Sequence, residues 1–214
     1  ALPISDEHPV AFSFYATKNL CTGEGGMLTG APDLVAQART LSLHGMDRDA
    51  WKRYHRGGAW RYDVVASGWK YNMTDLQAAL GRVQLERFAG MQARRREVVD
   101  RYRDAFAACP GIELPAERAG VTHAWHLFAC RVHDSAACDR DALIAGLRAR
   151  GIGASVHFIP LHHLSHFAGR ADAAALPVTE AAAGRLFSLP LHARLSVADQ
   201  DRVIAAVRDL VEGR

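Results

Sequence analysis

Apolar residues along this chain change their spacing several times, and each change marks an element. Ala11-Phe12 and Phe14-Tyr15 make a short apolar run that reads as a mostly buried strand. The run breaks at Ala16-Thr17, presents Lys18, and enters the glycine-rich turn Gly23-Glu24-Gly25-Gly26. Gly26 to Gly30 reads as a second short buried strand. Pro32 suits the first turn of a helix in which Leu34, Val35, Ala38 and Leu41 keep helical spacing. From His44 to Met73 no period is sustained, and the segment is rich in Gly, Trp, Tyr and Arg. That is too long for an ordinary connector and is expected to be a functional or subunit-contacting loop.

Periodicity returns at Thr74. Thr74-Asp75-Leu76-Gln77 fits a capping box, and Leu76, Ala79, Leu80 and Val83 form the apolar stripe behind it. A longer helix follows from about Met91, with Val98, Val99, Tyr102 and Phe106 facing inward, and Cys109-Pro110-Gly111 ends it. Beyond it strand and helix alternate. Ala124–Val132 is expected as a strand, Asp139–Arg150 as a helix with Leu143, Ile144 and Leu147 inward, and Ala154–Phe158 as a strand ending at Pro160. Pro177–Leu186 reads as a short helix, Leu189-Pro190-Leu191 as an extended turn, and Ser196–Val211 as a closing helix. In that last helix Val203, Ile204, Val207, Leu210 and Val211 are the buried set. The pattern is that of an α/β protein in two units, with the boundary expected in the long helical stretch near residues 90–110.

Composition narrows the function classes. At 214 residues and 49% hydrophobic the chain can bury a sizeable core, and a net charge of +3 asks for neither nucleic acid nor an anionic membrane. The densest basic stretch, Arg94-Arg95-Arg96 with Arg101 and Arg103, is interleaved with Glu97, Asp100 and Asp104. Pairs four apart (Arg96 with Asp100, Glu97 with Arg101) make it a solvated helix face. Four scattered cysteines without a Cys-x-x-Cys read as reduced thiols, hence a cytoplasmic protein. No apolar run is long enough to span a bilayer, and no signal peptide is visible. The chain opens on Ala1-Leu2-Pro3 and enters a strand almost at once, so further sequence is expected upstream.

Lys18 carries the chemistry. It sits where a parallel strand would end, the usual place for ligands in open α/β sheets. A lysine held there can shed its proton and attack carbonyl groups. The glycine turn is not a nucleotide loop, because the lysine precedes its first glycine by five residues and the Gly-x-Gly-x-x-Gly spacing is absent. The glycines read instead as letting the backbone turn beside a bulky cofactor. His157, His162, His163 and His166 lie within ten residues, with His162 and His166 on one expected helix face. No cysteine or paired carboxylate stands at matching spacing, so no metal is expected, and a substrate-facing histidine behind the Pro160 turn is the preferred reading. No Gly-x-Ser-x-Gly elbow supports a hydrolase.

The stretch from Ser13 to Gly26 resembles the cofactor-lysine signature of the DegT/DnrJ/StrS-type sugar aminotransferases, which are pyridoxal-phosphate enzymes of the aspartate-aminotransferase fold. Gly68-Trp69-Lys70-Tyr71-Asn72-Met73-Thr74-Asp75-Leu76-Gln77-Ala78-Ala79 is similar to a second family segment. His123–Phe128, Gly151-Ile152 through Leu161-His162, and Phe187–Leu191 are similar to three more, in the same order. The resemblance implies that residues 1–90 end a large cofactor-binding domain and that 91–214 form a small C-terminal α/β domain. It implies pyridoxal 5′-phosphate held covalently by Lys18, with Ser13 near its phosphate. It also implies a homodimer in which Asn72, or else Lys70, reaches the neighbouring subunit's phosphate. The common family version has Asn at the position of Lys70 and Arg at that of Asn72. His162 and, behind it, His157 are the implied substrate-pocket residues.

The implied reaction moves an amino group, with glutamate as the usual family donor, to a keto-sugar nucleotide in polysaccharide, lipopolysaccharide or secondary-metabolite biosynthesis. The resemblance covers only the C-terminal part of a family member. The pyridine-pairing aspartate, the ring-stacking residue and most of the phosphate cup belong to the other half, so the chain alone reads as catalytically incomplete. Three rivals stand beside this reading. A dehydratase of the same fold uses histidine where Lys18 stands. A regulatory relative keeps the fold without turnover. A histidine-based metal module would carry stoichiometric metal.

Overall fold

The structure, a computed structural model, describes residues 7–47, 61–170 and 175–214. The chain forms two compact units, Ala1–Phe88 and Ala89–Arg214, in a mixed α/β arrangement.

In the first unit, strands β1 (Val10–Ser13) and β2 (Gly26–Thr29) form an antiparallel hairpin in the register Val10 with Thr29 to Ser13 with Gly26. The parallel strand expected before Lys18 is therefore an antiparallel one. Nor is the ribbon buried: Phe12, Met27 and Leu28 are exposed, because no second layer among the described residues packs on it. Helix α1 (Pro32–Leu41) follows, with Pro32 in its first turn.

The described ends of the irregular segment are held against each other by backbone hydrogen bonds; residues 48–60 lie outside the described residues. His44 N donates to Trp69 O at 2.8 Å, Trp69 N to Leu41 O at 2.7 Å and Val65 N to Gly45 O at 2.8 Å. At Gly45, with φ +70°, a Cβ would lie 1.8 Å from Ala66 O, so this approach of two backbones requires glycine. Helix α2 (Asp75–Glu86) starts at the expected capping box: Thr74 and Gln77 exchange side-chain and backbone hydrogen bonds. Its apolar stripe exists but is bare, with Leu76, Leu80 and Val83 all exposed.

The second unit closes on itself. Helix α3 (Phe88–Phe106) buries Val98, Val99, Tyr102 and Phe106. Strands β3 (Ile112–Glu113), β4 (Phe128–Val132) and β5 (Leu186–Leu189) form an antiparallel sheet with β4 in the centre. Along β4, Phe128, Cys130 and Val132 point into the core and Arg131 points out, the period of two expected of a sheet with one wet face. Helices α4 (Arg140–Ala149) and α6 (Val197–Glu212) complete the core through Leu143, Leu147, Val203, Ile204, Val207 and Val211. Asp139 and Ser196 cap them by accepting from the N–H three residues on. Helix α5 (Pro177–Ala183) is shorter than expected, since Leu186 already belongs to β5.

Other expectations in this unit also change. Ala124–Leu127 precedes the strand rather than forming it, because Trp125 takes φ +45° and buries its ring beside Phe128. Residues 154–158 contribute only an isolated bridge, Ser155 to Ser188. The basic stretch of α3 is not uniformly solvated. Arg95 is buried and donates to Trp125 O and Leu191 O, both at 3.2 Å, and that burial pulls its guanidinium down from its ordinary value. Arg101 pairs with Asp201 at 2.6 Å and Glu97 with Arg94, so the expected Glu97–Arg101 pair gives way to a tertiary one. Arg96 does face Asp100, at 3.9 Å, with a closer partner in Glu117 at 2.6 Å.

Candidate active site

Lys18 lies in the long turn of the β1–β2 hairpin. Past Ser13 the two arms stay tied, with Phe14 N donating to Gly25 O at 2.9 Å and Thr22 N to Phe14 O at 2.8 Å. Between those ties the chain loops out, and Lys18 N donates to Tyr15 O at 2.9 Å, closing the small turn that presents the lysine. Lys18 is half-buried and Thr22 is buried. Thr22 Oγ1 donates to Glu24 O at 2.7 Å. A Cβ on Gly25 would come 2.5 Å from Thr22 Oγ1 and 2.9 Å from Met73 Cε. The space beside Gly25 is thus filled by the protein's own Thr22 and Met73, where the sequence suggested room for a cofactor.

Helix α2 holds this turn. Gln77 Oε1 accepts from Thr74 N at 2.9 Å as the second half of the capping box, while Gln77 Nε2 donates to Glu24 O at 2.9 Å. One amide therefore caps the helix and pins the loop that carries Lys18. The sequence marked Gln77 for its cap alone; its contact with Glu24, across 53 residues, had no local signal.

The remaining candidates fall into small groups. Ser13 is exposed at the end of β1, and its Oγ accepts from Tyr15 N at 3.4 Å. Lys70 Nζ donates to Asn72 Oδ1, and Asn72 Nδ2 to Met73 O at 3.3 Å. Among the described residues no hydrogen bond joins Lys70 or Asn72 to Lys18 or Ser13. In the second unit, His157 Nδ1 meets Ser188 Oγ at 2.9 Å.

His162 sits in a 3-10 turn, Leu161–His163, behind Pro160. His162 Nε2 and His163 Nε2 both meet Glu180 Oε1, at 2.5 and 2.8 Å. The hydrogen bond from His162, then that from His163, holds the Glu180 carboxyl below the usual carboxylate range. His166 leaves this group and lies against Arg170, since the short 3-10 turn does not place it one helical turn beyond His162. Glu180 is the residue the sequence reading missed.

The sequence profile of the DegT/DnrJ/EryC1/StrS aminotransferase family matches residues 7–208. The chain belongs to this family. It is 47% identical over 208 residues to the spore coat polysaccharide biosynthesis protein SpsC of Bacillus subtilis, covering 95% of this chain and 54% of that protein. Among solved structures it is similar to Spr1654 of Streptococcus pneumoniae, assigned as a sugar aminotransferase and solved in its PMP form. That match has a TM-score of 0.86 and 34% identity over 96% of this chain and 53% of the other. The aminotransferase TlmJ of Streptoalloteichus hindustanus superposes with a TM-score of 0.83 and 34% identity, over 96% and 52% of the two chains. The chain spans about half the length of the relatives it matches. Among its described residues no helix is long and apolar enough to cross a membrane.

Proposed function

We propose that the protein containing this chain is a pyridoxal-phosphate-dependent aminotransferase acting on a keto-sugar nucleotide, with an amino acid such as glutamate as donor. One observation carries the reading. In a member of this aminotransferase family, a single half-buried lysine is held on a hairpin turn tied down at both sides. The donor set fits the cofactor: Lys18 offers the primary amine that condenses with a carbonyl, and the exposed Ser13 hydroxyl offers a hydrogen bond to a phosphate. Asn72 and Lys70 add an amide and an ammonium suited to the same anion, reaching it from a second subunit of a homodimer.

Bound pyridoxal phosphate supplies an electron-withdrawing ring that stabilises negative charge at the carbon bearing the amine. Lys18 Nζ would do the rest of the proton work, as the base that takes a proton from that carbon and the acid that delivers it to C4′ of the cofactor, and the reverse in the second half-reaction. Thr22, Gln77 and the hairpin ties fix the backbone from which Nζ acts, so the amine returns to one place in each half-reaction. His162 and His157 are assigned to the sugar side of the pocket. Residues 1–90 and 91–214 are assigned as the end of the large domain and the small domain, and the enzyme as a cytoplasmic one.

The test is borohydride reduction of the full-length protein followed by peptide mapping. The pyridoxyl group is expected on Lys18; finding it on another lysine, or on none, rejects the proposal.

A further inference from the structure

The contact between His162, His163 and Glu180 is more than a histidine–carboxylate pair. One nitrogen of each imidazole and one Glu180 oxygen lie within 4.8 Å of one another. Two imidazole nitrogens converge on the same carboxylate oxygen, from rings set nearly edge to face with centroids 4.5 Å apart. Two imidazole nitrogens and a carboxylate oxygen are a donor set that zinc takes in three-ligand sites, leaving a fourth position for water.

We infer that His162, His163 and Glu180 form a binding site for a divalent transition-metal cation of the zinc type. Ligands at about 2.0–2.1 Å from a tetrahedral ion stand about 3.3 Å apart. The pairs at 2.5 and 2.8 Å must therefore part by less than about 1 Å. The side chains free to make that adjustment are His163 and Glu180, at 40% and 35% exposed, while His162, at 8%, stays fixed as the anchor. Binding through Nε2 requires each imidazole to carry its hydrogen on Nδ1, which leaves the Nε2 lone pair for the metal. Glu180 supplies one negative charge and keeps its second oxygen for water. The exposed side, between His163 and Glu180, is where the fourth ligand enters.

The site ties the turn behind Pro160 to helix α5, two pieces of chain separated by 17 residues. It was hidden in the sequence because its carboxylate stands on an alanine-rich helix well outside the histidine cluster. Pro177 starts that helix and so sets the turn on which Glu180 projects. The inference does not depend on the aminotransferase reading, but it takes His162 Nε2 for the metal and so competes with the assignment of His162 to the sugar side of the pocket.

It is tested by stripping the full-length protein with a chelator, titrating with Co2+ and displacing with Zn2+. One equivalent of cobalt is expected to give the strong visible absorption of a tetrahedral ion, and zinc to abolish it. His163→Asn and Glu180→Gln, both at partly exposed positions, are each expected to weaken binding by more than about tenfold, with His166→Asn as the unchanged control. Circular dichroism of each variant separates loss of the site from loss of the fold. The inference is overturned if the wild type takes up no cobalt, or if the folded His163→Asn and Glu180→Gln variants bind it as the wild type does.

Discussion

The two units solve the same problem to different degrees. Both have capped helices and apolar stripes, but every member of the large buried cluster belongs to Ala89–Arg214. In the first unit the stripes are formed and left bare: Leu76 is 85% exposed and Met27 55%. The difference separates two kinds of information. Capping boxes, prolines and turn glycines specify an element locally, whereas burial needs a second layer. The first unit displays elements already shaped for a layer that its described residues do not contain, and it carries Lys18. The second buries a core of its own, and its bare apolar side chains, Phe158 and Val178 among them, lie outside that cluster.

Truncating the core should expose this contrast most sharply. Phe128→Ala is expected to cost about 3–5 kcal/mol in chemical denaturation, since a fully buried ring at the centre of the sheet leaves a cavity. Arg95→Ala should cost about 2 kcal/mol by the same measurement, because Trp125 O and Leu191 O lose their donor inside the unit. Arg96→Ala, at a partly solvated ion pair, should cost less than about 1 kcal/mol. In the first unit, Gln77→Ala should cost about 1 kcal/mol and speed proteolysis in the Lys18 turn, as it removes half a capping box and the hold on Glu24. Leu76→Ala should fall within about 0.5 kcal/mol if the stripe is bare in solution. A larger loss in the full-length protein would show that the face is covered there.

Alkaline pH offers a graded version of the same comparison. Burial pushes the Cys130 thiol and the Tyr102 hydroxyl up from their ordinary values of 9.0 and 10.0. The folded state holds both protons more tightly than the unfolded chain does. Their contribution to stability is therefore intact below pH 9 and declines as the unfolded chain ionises above it. Thermal melting of the second unit should be flat near neutral pH and fall above pH 9, with a shallower fall in Cys130→Ala. Iodoacetamide at mild alkaline pH should spare Cys130 until the protein unfolds.

Much of this was legible in the residues. The capping box at Thr74, the inward set of α3 and the Ser196 cap were readable because each depends on contacts within a turn or two of helix. The hairpin was misread as a buried parallel strand, because a short apolar run says nothing of its pairing partner or of the layer above it. Arg95 was hidden because its partners are two backbone carbonyls, 30 and 96 residues away. Glu180 escaped because its partners, His162 and His163, stand 18 and 17 residues away on another element. The family resemblance pointed to Lys18 from its neighbours, but no local pattern announces that an amide on another helix will hold its loop.

Gln77 also bears on how the protein ages. Its amide accepts with one end and donates with the other, and both ends are engaged. Slow hydrolysis of that amide to a carboxylate would keep the helix cap, which wants only an acceptor. The Glu24 carbonyl would then face an oxygen where it now meets an N–H. One such lesion, a single dalton heavier and invisible to any probe of helix content, would loosen the lysine's loop while the rest of the molecule stayed intact. Old preparations would lose function before they lost fold.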